Sequence, residues 1–355
     1  MGFRIDSFRY TGYNFGHDEW DFSTRALEKH LLQQKPDRYL RSPVCFGPFP
    51  GPRQNVNGEA WPATQSTFSK ISIKFRTSRT LLDSFLAPGF SFASPATVAS
   101  ASWSCSTIDK MEWLGKSGYS HLGLYLHGVC YTKQDGNKIH GTYVVVLFEN
   151  MAEPITSGRE ELGMPKLPCD VHVEREASSA VVRASWRGAE FLSLSLDGLK
   201  EASAAPATNG NSVNGAHHPG PPGGPPGAPP GGPPGGPPGG PSGGRPPGGG
   251  PPRGPPPPPD SGLLFHRYVP AVGRPGESDA DYAVFVPHSE TKPDIKEELQ
   301  TNTAKVAWNL HDESSLPTLH HVTSKLAQMP FLGVVEAKIE TGSGVSDLRG
   351  AARIE

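Results

Sequence analysis

Between Pro219 and Pro259 the chain is almost wholly proline and glycine, repeated mostly as Pro-Pro-Gly-Gly. Such a stretch supplies no apolar side chains for a core and few backbone donors for a sheet. Its period of four also excludes a collagen triple helix, which needs glycine at every third position. It reads as a flexible, partly polyproline-II linker or insertion. The alternative is a ligand for a proline-recognising partner domain. Of the 355 residues, roughly 310 are left to fold, ample for a sizeable core.

Strand patterns lie on both sides of the tract. Ser69–Phe75 alternates polar and apolar residues, the mark of a half-buried strand. Further strands are predicted at Thr97–Ser104, His121–Val129, Gly141–Phe148, Cys169–Arg175, Ala180–Trp186 and Glu190–Leu196, with a hairpin turn at Gln134–Asn137. After the tract come Gly262–Val269, Tyr282–Pro287 and Leu332–Ile339. Helices are predicted at Arg25–Gln34, Ser78–Phe85 and Leu319–Gln328, and a loop at Gly47–Arg53. Many strands and few helices predict a mainly β (α+β) fold with a β-barrel or sandwich core and peripheral helices. The C-terminal piece has too few strands to close a sheet alone. Residues 66–355 are therefore read as one domain interrupted by an insertion at 219–259, and residues 1–65 as an N-terminal extension.

Composition excludes several classes. With 33 Lys+Arg against 35 Asp+Glu, the net charge is −2 and no nucleic-acid partner is expected. Cys45, Cys105, Cys130 and Cys169 form no Cys-x-x-Cys pair and read as free thiols of a reducing compartment. His127, His320 and His321 have no ligand-like spacing, so no metal site is expected. The N-terminus lacks an apolar signal core, and Asp6 breaks the myristoylation pattern. No apolar run approaches the ~20 residues that span a bilayer. A cytoplasmic protein without cofactor, membrane or nucleic-acid partner follows; a homo-oligomer is compatible with it.

The most informative stretch runs from Phe148 to Lys166. A β-like run ends there in a turn-rich segment, closing on Met164-Pro165-Lys166. Pro165 fixes its own φ and pushes Met164 toward an extended backbone. Lys166 is thus presented stiffly beside apolar Met164 and Leu167. A lysine attacks a carbonyl only as the neutral amine, and burial among apolar groups favours that form.

Gly158-Arg159-Glu160, four intervening residues and then Pro165-Lys166 resemble the Gly-Arg-Glu…Pro-Lys signature of the acetoacetate decarboxylase family. Phe75-Arg76-Thr77, Leu264–Pro270 and Ser315-Leu316-Pro317 resemble its early strand, late strand and C-terminal elements. The chain is identified as a divergent, fungal-type member. The resemblance implies a β-barrel-centred fold, Lys166 as the imine-forming amine, Met164, Pro165 and Leu167 as pocket walls, and Gly158, Arg159 and Glu160 as a structural motif. Arg159 and Glu160 are read as an ion pair or hydrogen-bond set holding the loop.

The match breaks in three places. Leu167 stands where bacterial members carry a second lysine. The strands expected to hold two pocket glutamates, within Ala96–Thr107 and Gly118–Tyr125, hold none. Tyr119-Ser120-His121 is the nearest equivalent of a family Tyr-x-Glu, making His121 the candidate proton donor and Tyr119 its companion. A family arginine ahead of the first strand has no aligned partner, and Arg53 replaces it only through a gap. The implied function is a Schiff-base decarboxylase acting on a β-keto acid bulkier than acetoacetate, such as a polyketide-derived intermediate of secondary metabolism. An imine-dependent aldolase-dehydratase and a non-catalytic small-molecule-binding protein are the alternatives.

Overall fold

A computed structural model of the chain describes residues 53–55, 57–94, 99–202, 261–289, 292–345 and 348–355. The expected helix at Arg25–Gln34, Cys45, the tract and all of the Gly47–Arg53 loop but Arg53 lie outside these residues. In chain order the strands are β1 (Thr67–Arg76), β2 (Phe90–Phe92), β3 (Ser100–Asp109), β4 (Tyr119–Thr132), β5 (Lys138–Glu149), β6 (Lys166–Pro168), β7 (Asp170–Arg175), β8 (Ser179–Trp186) and β9 (Ala189–Asp197). They continue as β10 (Lys200–Glu201), β11 (Gly262–Pro270), β12 (Ser278–Pro287), β13 (Asp294–Thr301), β14 (Thr303–Trp308), β15 (Val334–Ser343) and β16 (Ala352–Ile354). The helices are short: α1 (Arg79–Asp83), α2 (Ala152–Glu161) and α3 (His320–Leu326).

Twelve strands form one sheet in the order β10-β13-β15-β1-β3-β4-β5-β11-β12-β16, with β2 beside β4 and β6 beside β5. The other sheet runs β14-β9-β8-β7. The fold is mainly β with peripheral helices, as the sequence implies, but the large sheet is not closed into a barrel. Its terminal strands, β10 and β16, have two and three residues and do not pair with each other. So short a strand presents too few backbone groups to extend the ladder.

Strands from both sides of the proline- and glycine-rich tract hydrogen-bond together: β11 lies parallel to β5, and β14 antiparallel to β9. β1 shows why its sequence folds this way. Ile71, Ile73 and Phe75 are buried, while the alternating Ser72 and Lys74 stay half-buried. The hairpin turn at 134–137 is also present: Asn137 N donates to Asp135 Oδ1 at 2.9 Å, and Gly136 takes a φ of 82°. Several elements depart from the sequence reading, among them the short strands β2, β6, β10 and β16. The turn-rich segment after β5 is the helix α2, which Pro154 and Gly158 disguise. β13 and β14 were not anticipated; β13 breaks its alternation with Lys296-Glu297-Glu298 and a register shift between Ile295 and Glu297.

One apolar cluster joins the two sheets. Phe148 of β5 meets Phe191 of β9 with ring centroids 5.3 Å apart, and Trp103 of β3 meets Trp308 of β14 at 5.8 Å. Cys105, Cys130 and Cys169 are buried and free, as expected. Phe148→Ala and Phe191→Ala are each expected to cost about 3–5 kcal/mol of stability. In a double-mutant cycle by denaturant unfolding, the pair should couple by about 0.5–1.5 kcal/mol. Strict additivity would show that the rings do not hold the sheets together.

Candidate active site

The site is built where β5 ends. Its apolar run Tyr143–Phe148 closes on Glu149, and α2 starts three residues later. Pro154 sits in the first turn of α2, where a missing N–H breaks no helical bond. Beyond the helix, Gly163 takes a φ of +73°, a left-handed conformation that glycine adopts without strain. Met164 N then donates to Gly158 O at 3.0 Å. Around Pro165 the chain makes a three-residue turn, with Lys166 N donating to Met164 O at 2.9 Å. The φ that proline imposes suits such an inverse γ-turn. β6 follows, parallel to β5, with Lys166 in register with Leu147.

These constraints put Lys166 inside the protein, 3% exposed. Its Nζ lies 2.8 Å from Glu149 Oε1 and donates to Pro154 O at 2.9 Å. Glu149 is 1% exposed, and its Oε2 has no hydrogen-bond partner. Removing each charge from water costs on the order of several kcal/mol. Such a pair is therefore a poor device for stability alone and a good marker of a functional site. Gly158 explains its own place in the motif. A Cβ there would overlap Lys166 Cε and lie 2.6 Å from Cδ and Nζ, so only glycine leaves a path for the lysine across α2.

Burial pushes the Glu149 carboxyl above its ordinary range, while Lys166 and, more weakly, Arg53 pull it back down. Arg53 thus acts electrostatically on the site, despite lacking an aligned family counterpart. Tyr125 is pushed up by burial and then by the charge of Glu149. His121 lies opposite Glu149 in the β4–β5 register. Its pKa is lowered to about 3, first by burial and then by the charges of Lys166 and Lys70, and its Nδ1 has no hydrogen-bond partner. Tyr119 is buried two residues earlier, its ring 6.0 Å from that of His121.

The remaining sequence candidates surround the lysine. Met164, Pro165 and Leu167 line, with Lys166 itself, a partly open cavity of about 380 Å³. Glu149, His121 and Tyr119 do not line it. Arg159 is exposed, and its Nη1 donates to Lys166 O at 3.2 Å, tying α2 to β6. Glu160 O accepts from Arg267 Nη1 at 2.9 Å. Glu149 is the residue that sequence reasoning missed. The resemblance implies carboxylates on β3 and β4, whereas this one ends β5. The available signal was an acid closing an apolar run just ahead of the motif.

Gly158→Ala sets helix propensity against overlap. Alanine favours a helix by about 1 kcal/mol, whereas overpacking costs about 1–3 kcal/mol. Net destabilisation is expected, with Lys166 displaced from Glu149 in a crystal structure of the variant. Ser157 Oγ, the neighbouring buried hydroxyl, has no partner. Ser157→Ala should therefore be neutral or slightly stabilising in the same thermal melts. A more stable Gly158→Ala with Lys166 unmoved would contradict this account of the motif.

The acetoacetate decarboxylase (ADC) family model matches residues 50–229, just over half of the chain. No curated protein sequence matches significantly. Among solved structures, one described as an acetoacetate decarboxylase is 11% identical, with 92% of this chain and 97% of that one covered and a TM-score of 0.53. The acetoacetate decarboxylase of Legionella pneumophila is 11% identical over 82% of this chain and 89% of its own, with a TM-score of 0.46. The enduracididine biosynthesis enzyme MppR is 12% identical over 82% and 87%, with a TM-score of 0.49. At 11% identity, the likeness to the first of these is one of fold. With its motif on a buried lysine and the family match spanning residues 50–229, the chain belongs to the acetoacetate decarboxylase family.

Proposed function

We propose that the protein is an imine-forming decarboxylase of a β-keto acid, with Lys166 as the reacting amine. The observation that carries this reading is the burial of Lys166 against Glu149, 2.8 Å away, within the family motif. A surface lysine would be a permanently hydrated ammonium. This one has a carboxylate at hydrogen-bond distance that can take its proton, and burial makes Glu149 a better acceptor than an ordinary carboxylate.

The reaction then follows from the chemistry of the amine. Neutral Lys166 adds to the ketone carbon, and loss of water leaves a protonated imine. The carbon–carbon bond to the carboxylate breaks, carbon dioxide departs, and the electron pair moves into the imine to give an enamine. Protonation of the enamine carbon and hydrolysis release the ketone and restore the amine. Glu149 is the proton store for these steps. His121, with a pKa of about 3, is neutral near pH 7. The proton-donor role considered for His121 therefore falls to Glu149 in this reading. Its neutral ring stays beside Glu149 as a packing neighbour.

Imine formation exchanges the ketone oxygen with water. An ¹⁸O-labelled β-keto acid should lose its label in the ketone product faster than it does in buffer, and Lys166→Ala should abolish both the excess loss and the turnover. Lys166→Arg should do the same, since a guanidinium stays protonated. Glu149→Gln is expected to slow turnover by about 10²-fold or more. The pH dependence has a definite sign. Glu149 accepts a proton only when ionised, so the rate falls as pH drops through its raised pKa, and that limb disappears in Glu149→Gln. Full turnover in Lys166→Ala would rule the reading out.

A further inference from the structure

β5 is covered along one edge by two different strands. β11 pairs with it at Thr142 and Tyr143, and β6 at Leu147–Glu149. Neither pairs with Val144, Val145 or Val146. The cavity of about 380 Å³ lies at this break, with Val145 and Val146 of β5, Lys166 of β6 and Arg267 of β11 all in its wall. It reaches the residue that is otherwise closed to solvent.

The wall has a one-sided chemistry. Arg159, Arg267 and Lys325 line it, and no aspartate or glutamate does. Arg267 and His266 stand side by side in this wall. Both side chains are anchored at their far ends. Arg267 Nη1 donates to Glu160 O at 2.9 Å, and His266 Nε2 lies 2.7 Å from Asp281 Oδ1. The guanidinium is thus held in place at the cavity wall, where its charge can meet an anion. The rest of the wall is apolar, from Phe85, Met164, Val322 and Leu326. Its volume lies within the range of pockets that enclose small-molecule ligands and exceeds what a four-carbon acid fills.

We propose that this break in the sheet is the channel through which substrate reaches Lys166. It takes an amphipathic monoanion, a β-keto acid with a medium-length apolar body, whose carboxylate is read by Arg267. The proposal rests on the imine-forming role of Lys166 for its catalytic meaning, but the channel is testable without it. Octanoate carries the anion and the apolar body and no ketone; octanamide has the same shape without the charge. Calorimetric titration of the full chain is expected to show octanoate binding at least tenfold more tightly than octanamide, in the wild type and in Lys166→Ala alike. Arg267→Gln should weaken octanoate at least tenfold and leave octanamide within about twofold. Lys325→Gln, at an exposed position of α3, should weaken octanoate by a smaller factor, and it decides the matter with the wild-type comparison if Arg267→Gln does not fold. Equal affinity for the two probes, or octanoate binding indifferent to both substitutions, would overturn the proposal. Octanoate binding in a wild type that forms no imine would remove the catalytic reading and keep the anion channel; imine chemistry without octanoate preference would do the reverse.

Discussion

The structure turns on one buried contact, the ion pair between Lys166 and Glu149. Neither charge is near bulk water, so each is tolerable only because the other is there. The pair dictates much of its surroundings. Glu149 must end a strand that the sheet holds rigidly, and β5 is gripped by β4 along most of its length. Lys166 must approach from the other direction, and the helix, Gly163 and the turn at Pro165 return the chain alongside β5 to allow it. Gly158 is required because the lysine crosses α2 where any side chain would stand.

The same contact shifts the proton affinities of its neighbours. Burial raises Glu149, while the positive charge of Lys166 helps to depress His121. Two neighbouring side chains on paired strands are thereby shifted in opposite directions, the carboxyl up and the imidazole down. Arg53 adds a distant positive charge to the balance at Glu149. The family's adjacent second lysine is Leu167 here, half-buried against the core. Lys166 is thus buried beside Glu149 with no lysine next to it in sequence.

Much of this was legible in the sequence where local pattern and tertiary role agree. The alternation of β1, the Asp135-Gly136 turn and the stiff Met164-Pro165-Lys166 presentation all report short-range physics. Glu149 was not legible as a partner. An acid at the end of an apolar strand reads as the point where the chain leaves the core, and only the return of β6 buries it. α2 was hidden because Pro154 and Gly158 depress helix propensity, yet each is placed where the helix or the lysine needs it. The break between β11 and β6 is a property of strand pairing across more than a hundred residues of sequence, and no local pattern encodes it.

As the proposed imine-forming amine, Lys166 becomes covalently attached to a ketone carbon during turnover. Borohydride reduction in the presence of a panel of β-keto acids, followed by peptide mass mapping, tests it most directly. Reduction captures the imine as a stable secondary amine, so the expected result is a single adduct on the peptide carrying Lys166, of the mass of the decarboxylated ketone. Turnover that proceeds with no adduct on that peptide, or with an adduct on another lysine, would contradict it.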